Sequence, residues 1–202
     1  YPTAQLTKPN WTTYSLGWFQ QDYKGRKVNF HTGSLAGETA IHGQLPDSKL
    51  AIYVFGNYDH AEVRHALMFK AFDHFALGGT RDWSGEFHTL YSNIQAGADK
   101  EEKAFEAARM LDTKPSLSLD EYTGKYTDPL YGEVIITREN EDLILVANQY
   151  LKARVSHWHY DTFRGWYDKR WYGKINTSFT LNEKGKVSKV SFDGIQLTKT
   201  GK

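Results

Sequence analysis

Several residue types and patterns are missing from this 202-residue chain. It contains no cysteine, which excludes disulfides, zinc–thiolate sites and cysteine nucleophiles together. No apolar run approaches the roughly 20 residues that a membrane-spanning helix needs, so we expect no membrane span. The 25 Lys and Arg residues nearly balance the 24 Asp and Glu residues, for a net charge of +1. A nucleic-acid-binding domain normally concentrates basic charge on one face, so this balance argues against a nucleic-acid partner.

The beginning and the composition of the chain give two further expectations. The chain starts Tyr1-Pro2-Thr3, without Met and without a basic-then-apolar signal segment. We therefore interpret Tyr1 as the start of either a processed product or a cut piece. Aromatic residues make up 15% of the chain, which favours a sheet-rich structure because aromatic side chains suit pleated, half-buried surfaces.

Strand signals dominate residues 14–57. Strands are predicted over residues 15–19, 26–34, 38–43 and 50–56. The last of these is a nearly continuous apolar run, which predicts a strand buried on both faces. Such a strand needs a layer on each side of its sheet, so we interpret this part of the chain as a portion of a larger domain.

After these strands, the spacing of apolar residues predicts helices. Apolar residues from Val63 to Phe75 recur at intervals of three and four, with Asp59 as the predicted cap and Gly78-Gly79 as the end. A second helical stretch is expected over residues 83–110, with a break near Gly97 left open, and Pro115 ends it.

The last part of the chain alternates short strands with turns. Strands are predicted over residues 122–126, 132–138, 143–147, 152–158, 162–166, 174–181 and 187–192. Regular short strands with frequent turns predict a small meander sheet or a closed barrel.

A short motif lies at the end of the second predicted strand. His31, Thr32, Gly33 and Ser34 by themselves fit an ordinary strand end with a turn glycine. Before them stands Tyr-Ser-Leu-Gly-Trp at residues 14–18, and after them come Gly37, the apolar strand and its helix. In this order the elements resemble the end of the catalytic domain of penicillin-recognising serine hydrolases. These are the class C β-lactamase and D-alanyl-D-alanine peptidase relatives, which also include esterases.

The remainder of the chain resembles the domain that is appended to many such hydrolases. The matching segments are residues 115–117, 122–126, 131–132 and 157–163. The resemblance therefore covers nearly the whole chain. It implies an α+β fold in three parts. Residues 1–80 would form a partial transpeptidase-like antiparallel sheet with a helix, residues 81–114 a helical linker, and residues 115–202 a small antiparallel, lipocalin-like β-barrel.

The resemblance also implies an active site for acyl transfer without a cofactor or a metal. In the family, a Ser-x-x-Lys motif supplies the nucleophile, a Tyr-x-Asn loop shuttles protons, and the Lys/His-Thr-Gly strand forms a wall for the substrate. His31 and Thr32 would orient the substrate through hydrogen bonds. Gly33 would leave room for it. The backbone N–H of Ser34 would be one of two donors to the oxyanion that develops during acyl transfer.

Two of these three motifs are missing from their expected places. No serine of the chain has a lysine three positions later. The sequence Tyr-Ser-Asn at 91–93 comes after the His-Thr-Gly strand, whereas the family places its motif before that strand, and Lys-Thr-Gly at 199–201 lies at the C-terminus. We interpret the first as a chance match on a helix and the second as either a chance match or part of a tail.

We therefore expect the C-terminal portion of a serine hydrolase that is inactive by itself. Its expected partners are the missing N-terminal part of the catalytic domain and a small-molecule or peptide substrate. The resemblance and the absence of cysteine predict a periplasmic or secreted location. Association into a homo-oligomer and the choice among β-lactam, D-peptide and ester substrates stay open.

Histidines outside the motif are predicted to be structural. His157 and His159 share one face of a predicted strand but have no identifiable third metal ligand. His60, His65 and His74 lack the four-residue spacing of helical metal ligands, so exposed or capping histidines are expected there.

The aromatic and basic run over residues 166–172 has two interpretations. It could stack on a carbohydrate or nucleic acid, or it could form a half-buried barrel strand with its turn. For the whole chain, the alternative to a hydrolase portion is a non-enzymatic module. Its barrel would hold a small apolar ligand or mediate oligomerisation.

Overall fold

The computed structural model describes residues 2–58, 62–148 and 150–201. The chain divides into two compact units, residues 1–103 and 104–202. The first contains a five-stranded antiparallel sheet with helices, and the second contains a closed antiparallel barrel. The predicted α+β class with a C-terminal barrel is therefore confirmed. Among the described helices, none combines the length and the apolar character needed to cross a membrane.

The sheet of the first unit is a meander in which every strand pairs with the next. A short helix, α1 (Ala4–Thr7), precedes it. Its strands are β1 (Thr12–Ser15), β2 (Trp18–Tyr23), β3 (Arg26–Leu35), β4 (Glu38–Leu45) and β5 (Leu50–Gly56).

Two-residue turns join the first three strands. Leu16-Gly17 and Lys24-Gly25 both have positive φ at each residue, the backbone twist that suits a tight hairpin. The prediction of a continuous strand over residues 15–19 is wrong, because the left-handed conformation at Leu16 and Gly17 reverses the chain there. A 3₁₀ turn, Pro46–Ser48, joins β4 to β5.

Two helices complete the first unit. Helix α2 (Val63–Phe72) runs into a π-helical turn, Asp73–Leu77, and ends at Gly78 as predicted. The predicted cap, Asp59, lies outside the described residues. Helix α3 (Trp83–Ala107) continues through Gly97 without a break.

The core of the first unit lies on one side of its sheet. Phe30 and Ile41 of the sheet are buried together with Met68, Phe69 and Phe72 of α2. Apolar contacts of this kind account for most of the stability of an amphipathic helix in a protein.

The prediction that Leu50–Gly56 is buried on both faces is wrong. Strand β5 is the last strand of the sheet, and its residues alternate between half-buried and exposed. Ile52 and Val54 face the core, whereas Tyr53 and Phe55 are 62% and 77% exposed. The apolar run is continuous, but the two-residue period of a strand still places its aromatic members on the other face.

A buried carboxylate holds the first unit together. Asp73 accepts hydrogen bonds from the Tyr23 hydroxyl (2.9 Å), Lys24 Nζ (2.7 Å) and Trp83 Nε1 (2.8 Å). These donors come from β2, from the turn after it and from the start of α3. Burial works to raise the pKa of Asp73, but the hydrogen bonds and the positive charge of Lys24 outweigh it and hold that pKa below its ordinary value.

The second unit is an eight-stranded up-and-down barrel. A short helix, α4 (Leu119–Tyr122), precedes it, each strand pairs with the next, and the last strand pairs with the first. The strands are β6 (Gly124–Asp128), β7 (Gly132–Glu139), β8 (Asp142–Val146), β9 (Lys152–His159), β10 (Thr162–Tyr167), β11 (Lys174–Leu181), β12 (Val187–Phe192) and β13 (Ile195–Gly201).

The interpretation of residues 199–201 as a tail is wrong. The Lys-Thr-Gly sequence belongs to β13, which pairs with β6 and closes the barrel. Sequence patterning misses this strand because Leu197 is its one fully buried residue and most of the others are polar.

Side chains fill the barrel interior. The rings of Tyr122, Tyr126, Phe163 and Phe179 contact one another with centroid distances of 4.9–6.1 Å. An eight-stranded barrel is just wide enough for such filling. An apolar ligand inside the barrel would therefore have to displace core side chains, which disfavours that form of the binding-module alternative.

Replacing the buried carboxylate tests its role in the first unit. We expect Asp73→Asn to lower the free energy of unfolding by about 2–3 kcal/mol, because Lys24 loses its charge partner and two further donors lose a charged acceptor. The matched control is Asp47→Asn, since Asp47 is exposed and lies 3.5 Å from Arg26. It should change stability by less than about 0.5 kcal/mol. Urea unfolding followed by tryptophan fluorescence measures both, and equal effects would refute the assignment.

Acid should remove the contribution of Asp73. Its pKa is lowered in the folded state, so the stability that it adds is complete above the ordinary aspartate pKa of about 3.9 and is lost as pH falls through the folded-state value. The difference in unfolding free energy between the wild-type chain and Asp73→Asn should therefore be constant near neutrality and shrink below about pH 4. Urea titrations at a series of pH values give this difference directly. A gap that widened in acid would contradict the assignment.

Candidate functional site

The His-Thr-Gly-Ser motif lies in the second half of β3. The ladder between β2 and β3 stops at the pair Phe19 and Phe30, whereas the ladder between β3 and β4 continues to Leu35 and Glu38. Residues 31–35 therefore have β4 on one side, and within the described residues no strand pairs with them on the other. This stretch is a short open edge inside an otherwise paired strand.

The sheet register places the motif residues on alternating faces. Thr32 stands opposite Ile41, which is buried beneath the helices, so Thr32 belongs to the covered face. Gly33 stands in the row of Ala40 and Phe55, on the exposed face. The structure thus brings the four motif residues together along one strand, while their side chains point to two sides of it.

Arg64 holds Thr32 from the covered face. Arg64 Nε donates to Thr32 Oγ1 at 2.7 Å, and that hydroxyl donates to the carbonyl of Ala40 at 2.9 Å. The Arg64 side chain is only 7% exposed, and Glu62 lies 3.5 Å from its Nη2. The Thr32 hydroxyl is thereby fixed between helix α2 and strand β4.

Sequence reasoning missed Arg64, although a signal exists. Arg64 stands four residues before Met68, so the helical period places it on the buried face of α2. A charged residue at such a position needs a partner, because an isolated buried charge is costly.

His31 turns toward the β1–β2 hairpin. Its Nε2 lies 3.3 Å from the Tyr14 hydroxyl, and its ring stacks at 5.8 Å from Phe19. In register with it on β4 is His42, whose ring stacks on Tyr53 at 4.0 Å. Burial lowers the pKa of His42, which favours its neutral form.

A groove lies next to the motif, at the ends of three neighbouring strands. It has a volume of about 790 Å³ and is lined by the ends of β3, β4 and β5, including Gly33, Ser34, Leu35 and Phe55. A Cβ atom built on Gly33 would meet no atom within 4 Å. The space in front of Gly33 is therefore open to a molecule that lies along β3.

The other sequence matches have structural roles. The Tyr-Ser-Asn sequence at 91–93 lies on helix α3, as predicted, and Tyr91 stacks on His65. The expectation of an exposed or capping histidine at His65 is wrong, because its side chain is buried and its Nδ1 lies 3.2 Å from Glu62 Oε2. His60 lies outside the described residues, and His74 is exposed beside the ring of Phe75.

His157 and His159 both have protein partners. His157 Nε2 lies 2.9 Å from the Tyr160 carbonyl, and His159 Nδ1 accepts a hydrogen bond from the Met110 N–H at 3.3 Å. No group of three or more His, Cys, Asp or Glu side chains arranged to hold a metal occurs among the described residues.

A family model matches part of the chain. Residues 108–202 match a family described as a domain of unknown function, DUF3471, and this match lies within the second unit. No curated protein matches the chain.

Solved structures resemble the chain at low identity. Two structures of SurE, one of them with D-Leu, are 17% and 16% identical to it, with TM-scores of 0.39 and 0.38. An octameric penicillin-binding protein homologue from Pyrococcus abyssi is 16% identical, with a TM-score of 0.33. In each case 93% of this chain is covered but only 37–38% of the other protein, so the chain spans less than two fifths of their length.

Substitution of Gly33 tests whether the fold itself needs a glycine at this position. We expect Gly33→Ala to change the free energy of unfolding by less than about 0.5 kcal/mol, because the added methyl group enters open space. Gly43→Ala is the matched control on the neighbouring strand, where the methyl group would collide with Met68 and lie 3.0 Å from Phe72. It should cost about 1–3 kcal/mol. Urea unfolding of both variants checks this, and a destabilised Gly33→Ala would show that the protein itself needs the glycine.

Proposed function

We propose that the chain is the C-terminal portion of a serine hydrolase related to β-lactamases and D-alanyl-D-alanine peptidases. Residues 1–80 would form the last part of its catalytic domain, and residues 115–202 would form the appended barrel. Residues 81–114 would link these two parts. The reaction would be attack of a serine on an amide, lactam or ester carbonyl, and water would then hydrolyse the acyl-enzyme. The location would be periplasmic or secreted.

The open edge of β3 is the observation that carries this proposal. Residues 31–35 have a strand partner on one side only among the described residues, and the groove with its unobstructed Gly33 lies beside them. An unpaired strand edge can bind an extended segment through backbone hydrogen bonds, as in β-strand addition. A peptide-like substrate laid along His31 to Ser34 would thus be held where the resemblance expects the active-site wall.

The exposed face of the sheet supports the view that this unit completes a larger domain. Tyr53, Phe55 and Leu35 are 62%, 77% and 73% exposed on or next to the same face. Exposed apolar surface of this kind typically marks a site of interaction with another protein surface. The N-terminal part of the catalytic domain would cover it and supply the nucleophile and its base.

Each motif residue would then have a distinct task. The Ser34 N–H would donate to the oxyanion that forms when the carbonyl is attacked. Gly33 would allow the substrate to approach the backbone. Thr32 would act mainly by fixing the strand, since Arg64 and the Ala40 carbonyl already engage its hydroxyl. Arg64 would be a positioning residue.

The test uses the complete reading frame. The coding sequence upstream of Tyr1 is determined, and the whole protein is assayed with a chromogenic β-lactam, a D-alanyl-D-alanine peptide and a p-nitrophenyl ester. We expect an upstream Ser-x-x-Lys, with Tyr-x-Asn after it, and turnover of at least one substrate. Ser34→Pro, which lacks the N–H, should lower kcat by about 10²–10³-fold.

Two matched variants make the result specific. Ser34→Ala keeps the backbone N–H and should retain wild-type kcat. Gly33→Val should lower kcat/KM without lowering the melting temperature, because its side chain fills the space next to the strand rather than the protein core. An upstream frame without Ser-x-x-Lys, or full activity of Gly33→Val and Ser34→Pro, would refute the proposal.

A further inference from the structure

Among the residues that the structure describes, Glu38 is the only charged one in the lining of the groove at the ends of β3, β4 and β5. Glu38 is the first residue of β4, and it lines the groove together with Leu35, Ala40 and Phe55. The volume of about 790 Å³ is in the range of small-molecule sites. A ligand of this groove would therefore meet an apolar lining with a single carboxylate.

The sheet register gives the groove its shape. Gly33, Ala40 and Phe55 stand in one row across the three strands. The first two have little or no side chain and form a low floor, and the exposed Phe55 ring stands at one side of it. Leu35 and Glu38 form a pair further along the same face, because strand side chains alternate with period two. The groove thus has apolar walls and, at one end, a carboxylate.

The Glu38 carboxylate is accessible to a ligand. Glu38 is exposed, and no ion pair of its carboxylate occurs within the described part of the chain. On the same face of β4 stands His42, and burial lowers its pKa, which favours the neutral form. Arg64 contacts this part of the sheet from the covered face instead, where Glu62 lies 3.5 Å from its Nη2. The charge that a ligand meets in the groove is therefore negative.

A carboxylate beside apolar walls favours a ligand with two properties. Contact with Leu35 and Phe55 stabilises an apolar group, because it removes apolar surface from water. The negative charge of Glu38 favours a cation over a neutral or anionic group. Because solvent screens an exposed ion pair, the carboxylate adds only a modest preference, and apolar contact supplies most of the affinity.

We propose that this groove binds an apolar compound that carries a primary ammonium group, with the apolar part between Leu35 and Phe55 and the ammonium at Glu38. Its part in catalysis rests on the proposed function, in which the Ser34 N–H contacts the reacting carbonyl. Ser34 directly precedes Leu35, the partner of Glu38 in the register, so the ammonium would lie about one strand residue from that carbonyl. The substrate would accordingly carry an apolar, positively charged acyl group.

The binding experiment uses the chain itself and three compounds of similar shape but different charge. These are 2-phenylethylamine, 2-phenylethanol and 3-phenylpropionate, each titrated at ionic strength held constant with sodium chloride. The backbone amide signals of Gly33, Ser34 and Gly56 are followed by NMR. We expect saturable shifts at millimolar concentrations, with the amine bound about two- to fivefold more tightly than the alcohol and the anion bound most weakly. Equal affinity for amine and alcohol, or no saturable shift with the amine, would overturn the proposal.

Three variants locate the binding. Glu38→Gln should reduce the affinity for the amine by about two- to fivefold, to that for the alcohol, because the charge is removed. The matched control is Glu101→Gln, an exposed carboxylate on α3 outside the groove, which should leave the affinity for the amine unchanged. Gly33→Val should weaken both ligands by about tenfold, because its side chain fills the floor. Equal weakening by the two glutamine variants, or unchanged affinity of Gly33→Val, would refute the site.

The complete protein distinguishes the role of the groove from the hydrolase activity. Its substrates are the p-nitrophenyl esters of both enantiomers of phenylalanine and of 3-phenylpropionic acid, which lacks the ammonium group. We expect a higher kcat/KM for a phenylalanine ester, and Glu38→Gln should remove that preference. Turnover without the preference would refute the ammonium site and leave the hydrolase. Binding of the amine that depends on Glu38, in a protein without an upstream Ser-x-x-Lys, would support the groove and refute the hydrolase.

Discussion

One-sided burial of the sheet is the constraint on which the first unit depends. Helix α2 packs against a single face, and Gly43 permits that contact because Met68 and Phe72 occupy the space where its side chain would be. Since strand side chains alternate, this burial assigns each residue of β3 to a face. Thr32 therefore contacts Arg64, whereas Gly33 lines the groove. A shift of one residue in register would exchange these roles along the entire motif.

In each unit, one carboxylate joins segments that are distant in the sequence through several hydrogen bonds. In the first, Asp73 joins β2 to the start of α3 through three donors. In the second, Asp161 accepts from the Ser116 N–H and from the hydroxyls of Ser116 and Tyr122, which ties the segment before the barrel to the β9–β10 turn. Burial works to raise the pKa of Asp161, yet these hydrogen bonds outweigh it and lower that pKa. For each carboxylate, hydrogen-bond donors from distant parts of the chain thus compensate for the water that is lost on burial.

Features set by local period and turn chemistry can be predicted from the sequence, whereas features set by distant partners cannot. Apolar spacing and glycine positions predict the α+β class, the barrel and the end of α2 at Gly78. The burial of β5 was not, since an apolar run does not reveal whether a second layer covers its aromatic residues. Strand β13 was missed for the opposite reason, because pairing with β6 stabilises a largely polar segment. Arg64 became visible as a partner of Thr32 only through tertiary contact.

The candidate site along β3 is only partly built by the residues of this chain. Along β3 the chain supplies an open backbone edge and a groove, but neither the nucleophile motif nor, among the described residues, a cover for the exposed aromatic face. In the second unit, a barrel whose core is filled by side chains has only its outer surface to offer a ligand. Under the proposed function, the His31–Ser34 strand would take part in chemistry only together with a segment that supplies the nucleophile and its base.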